Sequence, residues 1–278
     1  MKSKFIRRAL TGAAFVVVMV GCVLGGPISF TLLFTIVTGA AIYEFGTIVC
    51  RDGSVQMNKP ISALAGMFLF LCFGYVGIEP AGLSIFVPYL LLVIYLLVSE
   101  LYKKQPDPVR NWAYAMLTQV YIALGFSMLN ILAYHSVGHE GVTHYNPILP
   151  LSVFIFTWVN DTGAYCIGVL FGRHRLFPRV SPKKSWEGSF GGATFCVIAA
   201  LIMAHFFDFL TLPVWIGLAL VIVVFGTWGD LTESLLKRSL GLKDSGHILP
   251  GHGGILDRFD STLLAVPAAV VYLYLLSL

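Results

Sequence analysis

Residues 214–225 of this 278-residue chain read VWIGLALVIVVF, a run that contains no charged side chain. The run is apolar on every face, whereas a strand of a transmembrane barrel alternates lipid-facing and lumen-facing residues. In hydrocarbon a helix satisfies all of its own backbone hydrogen bonds, which an isolated apolar strand cannot do. The stretch therefore predicts a membrane-spanning helix.

The rest of the chain follows the same pattern. Hydrophobic residues make up 57% of the sequence and charged residues 12%, a balance that excludes an ordinary soluble domain. We predict an all-α polytopic membrane protein with about nine transmembrane helices, each near the twenty residues needed to cross a bilayer. The predicted spans are 9–26, 28–48, 61–78, 82–101, 111–134, 147–171, 189–207, 211–228 and 259–278. The first span resembles a signal peptide, but a second apolar run follows it at once, so we expect it to remain.

The positive charges predict how the helices are oriented. All eighteen lysines and arginines lie before span 1 or after spans 2, 4, 6 and 8. Basic residues near span ends stay on the cytoplasmic side, so we expect a cytoplasmic N-terminus and a C-terminus on the opposite side. The net charge of +4 is then a property of one face, and no nucleic-acid partner is expected.

The functional residues are expected in the second half of the chain. Residues 1–135 form spans 1–5, and residues 136–278 form a catalytic region with cytoplasmic loops 173–188 and 229–258. The five cysteines have no metal-type spacing, and we interpret them as small core residues.

The loop after span 6 contains Ser181-Pro-Lys-Lys-Ser185 next to the predicted start of span 7. Two hydroxyls and two ammonium groups beside free helix N–H groups are typical of phosphate binding. The alternative is a basic loop that anchors to anionic lipid head groups.

The loop after span 8 is the most charged part of the chain. Asp230, Glu233, Ser234 and Lys237 fall on one face of a predicted helix, and the glycine-rich turn 250–254 follows. Carboxylates are the oxygen ligands that Mg²⁺ prefers, and glycines allow close approach to a ligand. The alternative is a solvated loop with ordinary ion pairs.

Span 6 contains Asn160 and Asp161 within an apolar segment. An ionisable residue at membrane depth is costly unless it faces a cavity or a partner. We interpret Asp161 as functional, and a buried structural hydrogen bond is the alternative.

These segments resemble one known family. Ser234-Leu-Leu-Lys237-Arg238, then Lys243-Asp244 after four residues, then His252-Gly-Gly-Ile-Leu-Asp257-Arg258-Phe-Asp260 are similar to the signature of phosphatidate cytidylyltransferase, or CDP-diacylglycerol synthase. The segment from Ser181 to Gly188 and the Asp161 stretch also resemble that family. Ser185 stands where many relatives have threonine, which preserves the hydroxyl. The resemblance covers roughly the C-terminal 120 residues, and the first five spans match only in length and hydropathy.

The resemblance implies transfer of a cytidylyl group from CTP to phosphatidic acid, which gives CDP-diacylglycerol and pyrophosphate for phospholipid biosynthesis. It also implies Mg²⁺ as cofactor, with a second metal ion, divalent or monovalent, as an alternative. Asp230 and Asp257 are the expected metal ligands, and both follow or precede a span at the cytoplasmic face. The other residues with an expected catalytic role are Lys237, Arg238, Lys243, Asp244, His252, Arg258 and Asp260. The residues expected to bind substrate are Asp161, Ser181, Lys183, Lys184, Ser185, Ser234, Gly253 and Gly254.

Two alternative functions compete with this interpretation. A CTP-dependent lipid kinase of the polyprenol or phytol type would transfer the γ-phosphoryl group and release CDP. An ion-coupled secondary transporter would explain Asp161, but such carriers show paired halves with broken helices. The expected partners are CTP, phosphatidic acid and membrane lipids, and the family resemblance implies a homodimer. The expected location is a bacterial cytoplasmic membrane, with the active site facing the cytoplasm.

The metal-ligand assignment of Asp257 can be tested by substitution. We expect Asp257→Asn to abolish cytidylyl transfer without unfolding the protein, because the amide keeps the shape of the side chain but loses its charge. Lipid labelling from CTP and the elution profile in detergent measure the two effects. A near-normal rate in a folded variant would contradict the assignment.

Overall fold

The computed structural model describes residues 2–78, 82–134, 144–242, 245–246 and 253–276, with residues 2–9 as backbone only. Most of these residues are helical. The helices are α1 (Lys2–Leu24), α2 (Pro27–Val49), α3 (Lys59–Ile78), α4 (Val87–Lys103), α5 (Pro108–Leu117), α6 (Leu124–Ala133), α7 (Ile148–Phe171), α8 (Trp186–Phe206), α9 (Leu212–Ser239), α10 (Leu256–Phe259) and α11 (Thr262–Leu276). A 3₁₀ turn, Leu83–Phe86, precedes α4, and a π-helical segment, Thr118–Ala123, joins α5 to α6.

Eight helical segments within the described residues are long and apolar enough to cross a membrane. They coincide with eight of the nine predicted spans and confirm an all-α polytopic membrane fold. The remaining predicted span coincides with α1, whose apolar stretch Leu10–Leu24 is shorter than the other eight. The count of nine and the sidedness of the two termini stay predictions.

The chain packs as two compact units. The first contains Met1–Pro147 together with Asp244–Phe259, and the second contains Ile148–Lys243 together with Asp260–Leu278. Residues 245–246 and 253–259 of the signature, hereafter the signature segment, therefore belong to the same unit as the N-terminal helices, whereas Asp260 belongs to the second unit. The predicted functional division at residue 135 stays a prediction.

An aromatic cluster forms the core of the first unit. The rings of Phe30, Phe34, Phe70, Phe126 and Phe259 have neighbouring centroids 5.0 to 6.4 Å apart. All five side chains are fully or almost fully buried. Such rings gain dispersion energy and edge-to-face attraction beyond simple burial. Phe259 therefore anchors the end of the signature segment among helices that precede it by more than a hundred residues.

Glycines bring the helices of the second unit close together. A Cβ added at Gly188 would lie 2.8 Å from the Ala164 carbonyl oxygen, and one at Gly192 would lie 2.8 Å from that of Asn160. Helices α7 and α8 therefore approach at distances that only glycine allows. A Cβ at Gly229 would lie 2.5 Å from the Asp260 carbonyl oxygen, so α9 meets the start of α11 equally closely.

A β-hairpin between α7 and α8 was not predicted. Strand β1 (Arg175–Phe177) pairs antiparallel with β2 (Ser181–Ser185), with Arg175 opposite Ser185. The Trp186 N–H donates to the His174 carbonyl oxygen at 2.9 Å. Strand β2 contains Pro182 and two lysines, which are residues with low strand propensity. Its pairing with β1 therefore depends on the hydrogen bond between Trp186 and His174.

The interpretation of all five cysteines as core residues is only partly right. Cys72 and Cys196 are buried, Cys22 and Cys50 are half-buried, and Cys166 is exposed. Cys166 lies on a face of α7 that carries exposed apolar side chains such as Val169 and Leu170. In a membrane helix, apolar character does not distinguish a core-facing residue from a lipid-facing one.

Gly192→Ala tests the close approach of α7 and α8. We expect a lower unfolding temperature in detergent, because the added methyl overlaps backbone that cannot move aside, and overpacking costs about 1–3 kcal/mol. Gly21→Ala is the matched control, since nothing lies within 4 Å of a Cβ at that helical position. Equal unfolding temperatures for Gly192→Ala and the unsubstituted protein would contradict the close packing.

Candidate active site

The β-hairpin is tied to the start of α8 by side chains on both sides of their junction. The Ser185 hydroxyl accepts from the Gly188 N–H at 3.2 Å and caps α8. The Glu187 carboxylate accepts from the Arg173 and His174 N–H groups at 3.1 to 3.2 Å and pairs with His174 Nδ1 at 2.6 Å. These bonds hold both ends of the hairpin and so fix the position of β2.

A cavity of about 210 Å³ lies beside β2 within the second unit. Helices α7, α8 and α9 and strand β2 contribute its lining: Asn160, Asp161, Ala164, Tyr165, Lys183, Lys184, Ser185, Gly188, Ser189 and Thr227. The cavity combines two ammonium groups, a carboxylate, an amide and several hydroxyls in a helical bundle whose spans are mainly apolar. Such a convergence of polar groups is the property expected of a ligand site.

The Asn160 amide is one of two buried polar groups of this lining, with the Ser185 hydroxyl. Asn160 is 6% exposed, and its Oδ1 has no hydrogen-bond partner among the described residues. Asp161, the next residue, is exposed on the same side of α7. Asn160 and Asp161 both line the cavity, and the predicted functional role of Asp161 stays a prediction.

Three carboxylates form a cluster at the junction of α9 and α11. Oxygens of Asp230, Glu233 and Asp260 lie within 4.8 Å of one another, and Glu233 is fully buried. The two helices come together here because Gly229, which has no side chain, lies close to the Asp260 backbone. Like charges at this separation repel strongly in a low-dielectric setting, so the cluster requires compensating cations when its carboxylates are ionised.

Two lysines supply part of this compensation. Lys237 Nζ lies 2.8 Å from Glu233 Oε2, and Lys184 Nζ forms an ion pair with Asp230 Oδ2. The Ser234 hydroxyl lies 3.4 Å from Asp230 Oδ1. The three carboxylates outnumber the two ammonium groups, so carboxylate oxygens are left over as metal ligands. Such oxygens are the ligands that suit Mg²⁺. Lys184 belongs to both the cavity lining and this cluster, so the two adjoin.

Asp257 lies in the first unit, in a backbone cradle of its own. Its carboxylate accepts from the Ser245 N–H at 3.0 Å and from the Gly254 N–H at 2.8 Å. A Cβ at Gly253, whose φ is +85°, would lie 2.5 Å from Asp257 Oδ2. The glycines predicted to permit close approach thus make room for the carboxylate of Asp257 itself.

The structure brings together many, but not all, of the predicted site residues. In the second unit, Asp161, Lys183, Lys184 and Ser185 line the cavity, and Asp230, Ser234, Lys237 and Asp260 belong to or contact the carboxylate cluster. Ser181 begins β2, and the exposed Arg238 donates to the Leu242 carbonyl oxygen at 3.1 Å. In the first unit, Gly253, Gly254 and Asp257 share one turn, with Arg258 exposed beside them. Lys243, Asp244 and His252 lie outside the described residues.

Two acidic residues of these arrangements were not predicted as site residues. Glu233 lies three residues after Asp230, and its place on the polar face of α9 was a usable signal. Glu44 in α2 accepts hydrogen bonds from the signature segment. The only feature of the sequence that could have indicated a role for Glu44 is the presence of a carboxylate within an apolar span.

Comparisons with known proteins agree with the sequence-based resemblance. The family model described as "Cytidylyltransferase family" matches residues 6–276. A phosphatidate cytidylyltransferase of Staphylococcus aureus strain COL is 43% identical over 157 residues, which are 56% of each chain. Relatives with the same name in Staphylococcus epidermidis RP62A and Staphylococcus haemolyticus are each 42% identical over 157 residues. The match thus spans a little over half the length of these curated relatives.

Substitution of Ser185 tests the anchorage of the hairpin. We expect Ser185→Ala to lower stability by about 0.5–2 kcal/mol and to speed amide exchange at Gly188, because the capping acceptor is lost. Ser185→Thr retains the hydroxyl and is the matched control. Hydrogen–deuterium exchange of peptides over 181–190 measures the effect, and unchanged exchange in Ser185→Ala would show that the cap is dispensable.

Proposed function

Because the chain belongs to the cytidylyltransferase family, we propose that it transfers a cytidylyl group from CTP to phosphatidic acid, with CDP-diacylglycerol and pyrophosphate as products. One observation carries the proposal beyond the family. Lys184 lines the cavity and also pairs with Asp230 of the carboxylate cluster. A cation that can bind phosphate thus adjoins a group of carboxylate oxygens, and this combination supports a nucleotidyl transfer.

The reaction needs charge neutralisation more than proton transfer. A phosphate oxygen of phosphatidic acid bonds to the α-phosphorus of CTP, and the bond to the bridging oxygen of pyrophosphate breaks. Pyrophosphate leaves with the electron pair of that bond. The attacking phosphate is already ionised at neutral pH, so a strong general base is unnecessary. Negative charge grows on the nonbridging and leaving oxygens, where positioned cations stabilise the transition state.

The lysines of the cavity supply such cations. Lys183 and Lys184 precede the capped start of α8, so the Ser185 cap and the hairpin hold their backbone in place. Lys184 is already desolvated in part by its pairing with Asp230, and its side chain is 28% exposed. A partly buried ammonium interacts more strongly with a substrate phosphate than a fully hydrated one.

Mg²⁺ is the proposed cofactor, and Asp230, Glu233 and Asp260 are the residues that would hold it within the second unit. When bound, the ion polarises phosphoryl oxygens and neutralises charge on the leaving group. Glu233 and Asp260 extend the predicted ligand set. The assignment of Asp257 rests on the family resemblance, and a second metal ion remains an alternative part of the proposal.

We also propose that the site faces the cytoplasm of a bacterial cell, in its cytoplasmic membrane. The basic hairpin and the basic end of α9 support this orientation, because positive charge is retained on the cytoplasmic side. CTP is soluble and polyanionic, whereas phosphatidic acid is a membrane lipid, so the two meet where a polar cavity opens at a membrane surface. A homodimer is part of the proposal on family resemblance alone.

The test is incubation of the purified protein in detergent with α-³²P-labelled CTP, phosphatidic acid and Mg²⁺, followed by lipid extraction with and without EDTA. We expect labelled lipid that depends on Mg²⁺ and on phosphatidic acid. Absence of label in a folded preparation that binds CTP would contradict the proposal. Label in lipid from γ-³²P-labelled CTP would indicate a lipid kinase, and no CTP binding would favour a transporter.

Lys184→Met tests the observation that carries the proposal. We expect the rate to fall about 100-fold or more, because one positioned group at the developing charge is lost. Lys104→Met is the matched control, since Lys104 is an exposed lysine at the end of α4. Equal rates in the two variants would show that Lys184 takes no part in the reaction.

A further inference from the structure

Glu44 is a buried carboxylate in an otherwise apolar helix. It lies near the end of α2, within the candidate span Pro27–Val49, and is 4% exposed. A carboxylate in this setting is strongly destabilising unless the protein supplies hydrogen-bond donors. The donors of Glu44 come from residues more than two hundred positions later in the chain, within the same compact unit.

Both oxygens of Glu44 accept hydrogen bonds from the signature segment. Oε1 accepts from the Ser245 hydroxyl at 2.6 Å and from the Leu256 N–H at 3.2 Å. Oε2 accepts from the Ile255 N–H at 2.9 Å. One side chain therefore holds the described part of the segment on both sides of residues 247–252.

The segment is shaped to admit this carboxylate. A Cβ at Gly246 would lie 2.9 Å from Glu44 Cδ and Oε2. A Cβ at Gly254 would overlap Glu44 Oε1. Glycines at both positions are thus required by the approach of Glu44, and neither position has room for a side chain.

Ser245 connects Glu44 to Asp257. Its hydroxyl donates to Glu44 and accepts from the Asp257 N–H at 3.3 Å. Its own N–H donates to the Asp257 carboxylate at 3.0 Å. Gly254, which packs on Glu44, donates to the same carboxylate at 2.8 Å. Of the two residues that donate to the Asp257 carboxylate, Ser245 is therefore hydrogen-bonded to Glu44 and Gly254 lies directly against it.

We propose that Glu44 is a positioning residue of the active site, which acts through Ser245 and Gly254 to orient the carboxylate of Asp257. The inference rests on the proposed function and on the predicted role of Asp257 as a metal ligand. Groups that orient a metal ligand are worth about 10–100-fold in metal affinity or activity. An amide at position 44 keeps the size of the side chain but sets an N–H₂ donor group against backbone N–H donors.

The test compares three full-length variants in detergent: Glu44→Gln, Asp257→Asn and the control Glu100→Gln. Glu100 is also a buried carboxylate of the first unit, 5% exposed, and it bonds Lys103 and Asn111 instead of the signature segment. One readout is the affinity for Mn²⁺, used alone as a stand-in for Mg²⁺ and followed by electron paramagnetic resonance. The other is hydrogen–deuterium exchange of peptides over 245–257.

We expect Glu44→Gln and Asp257→Asn each to weaken Mn²⁺ binding about tenfold or more, and only Glu44→Gln to speed exchange at Ile255 and Leu256. Glu100→Gln should leave both readouts unchanged. Wild-type Mn²⁺ affinity in Glu44→Gln would overturn the proposal. Equal effects of Glu44→Gln and Glu100→Gln would also overturn it, because they would indicate general loss of stability.

Ser245 provides a second route if Glu44→Gln does not fold. Ser245→Ala removes the bridging hydroxyl, and Ser245→Thr restores it. We expect Mn²⁺ affinity to fall about tenfold in the alanine variant and to recover in the threonine variant. Equal affinity in Ser245→Ala and the wild type would overturn the proposal. Neither readout requires turnover, so a failure of lipid labelling contradicts the proposed reaction without deciding the role of Glu44.

Discussion

A carboxylate inside an apolar helical bundle must obtain its partners from the protein, because hydrocarbon supplies none. Three glutamates of this chain obey that constraint in different ways. Glu100 is satisfied by Lys103 and Asn111 close by in sequence, and Glu233 pairs with Lys237 one helical turn later. Glu44 instead takes its donors from a distant segment. The hydrogen bonds of Glu44 therefore hold a distant loop in place, whereas those of Glu100 and Glu233 join residues that are close in sequence.

The second unit shows how close helix packing creates a polar site within an apolar bundle. Glycines of α8 press against the backbone of α7, and Gly229 of α9 presses against the start of α11. These contacts place the cavity beside the hairpin and bring three carboxylates together. Apolar burial does not drive helix association in lipid, so close van der Waals contact and polar pairing carry more of the stability. The same contacts that stabilise the unit therefore build the site.

The parts of the candidate site that could be predicted from the sequence are those whose residues are neighbours in the chain. Ser181–Ser185 was predicted to bind phosphate, and the structure places Lys183 and Lys184 in the lining of the cavity. The polar face of α9 that carries Asp230 was predicted from helical periodicity, although Glu233 of the carboxylate cluster was not among the predicted metal ligands. The hairpin was not predicted because Pro182 and the lysines have low strand propensity. Its pairing depends instead on hydrogen bonds to the start of α8. Glu44 was missed because nothing near it in sequence resembles a site.

The sequence by itself determined that this chain forms membrane-spanning helices, because hydropathy and helical period are local properties that each segment carries alone. It also determined family membership, since the signature residues keep their spacing along the chain. Tertiary structure alone decided which carboxylate meets which donor, and therefore which acidic residues cluster and which hold a loop. Those choices depend on helix contacts such as Gly254 against Glu44 and Gly229 against Asp260, which join residues far apart in the chain. Hydrogen-bond partners across such distances follow from packing and leave no periodic pattern in the sequence.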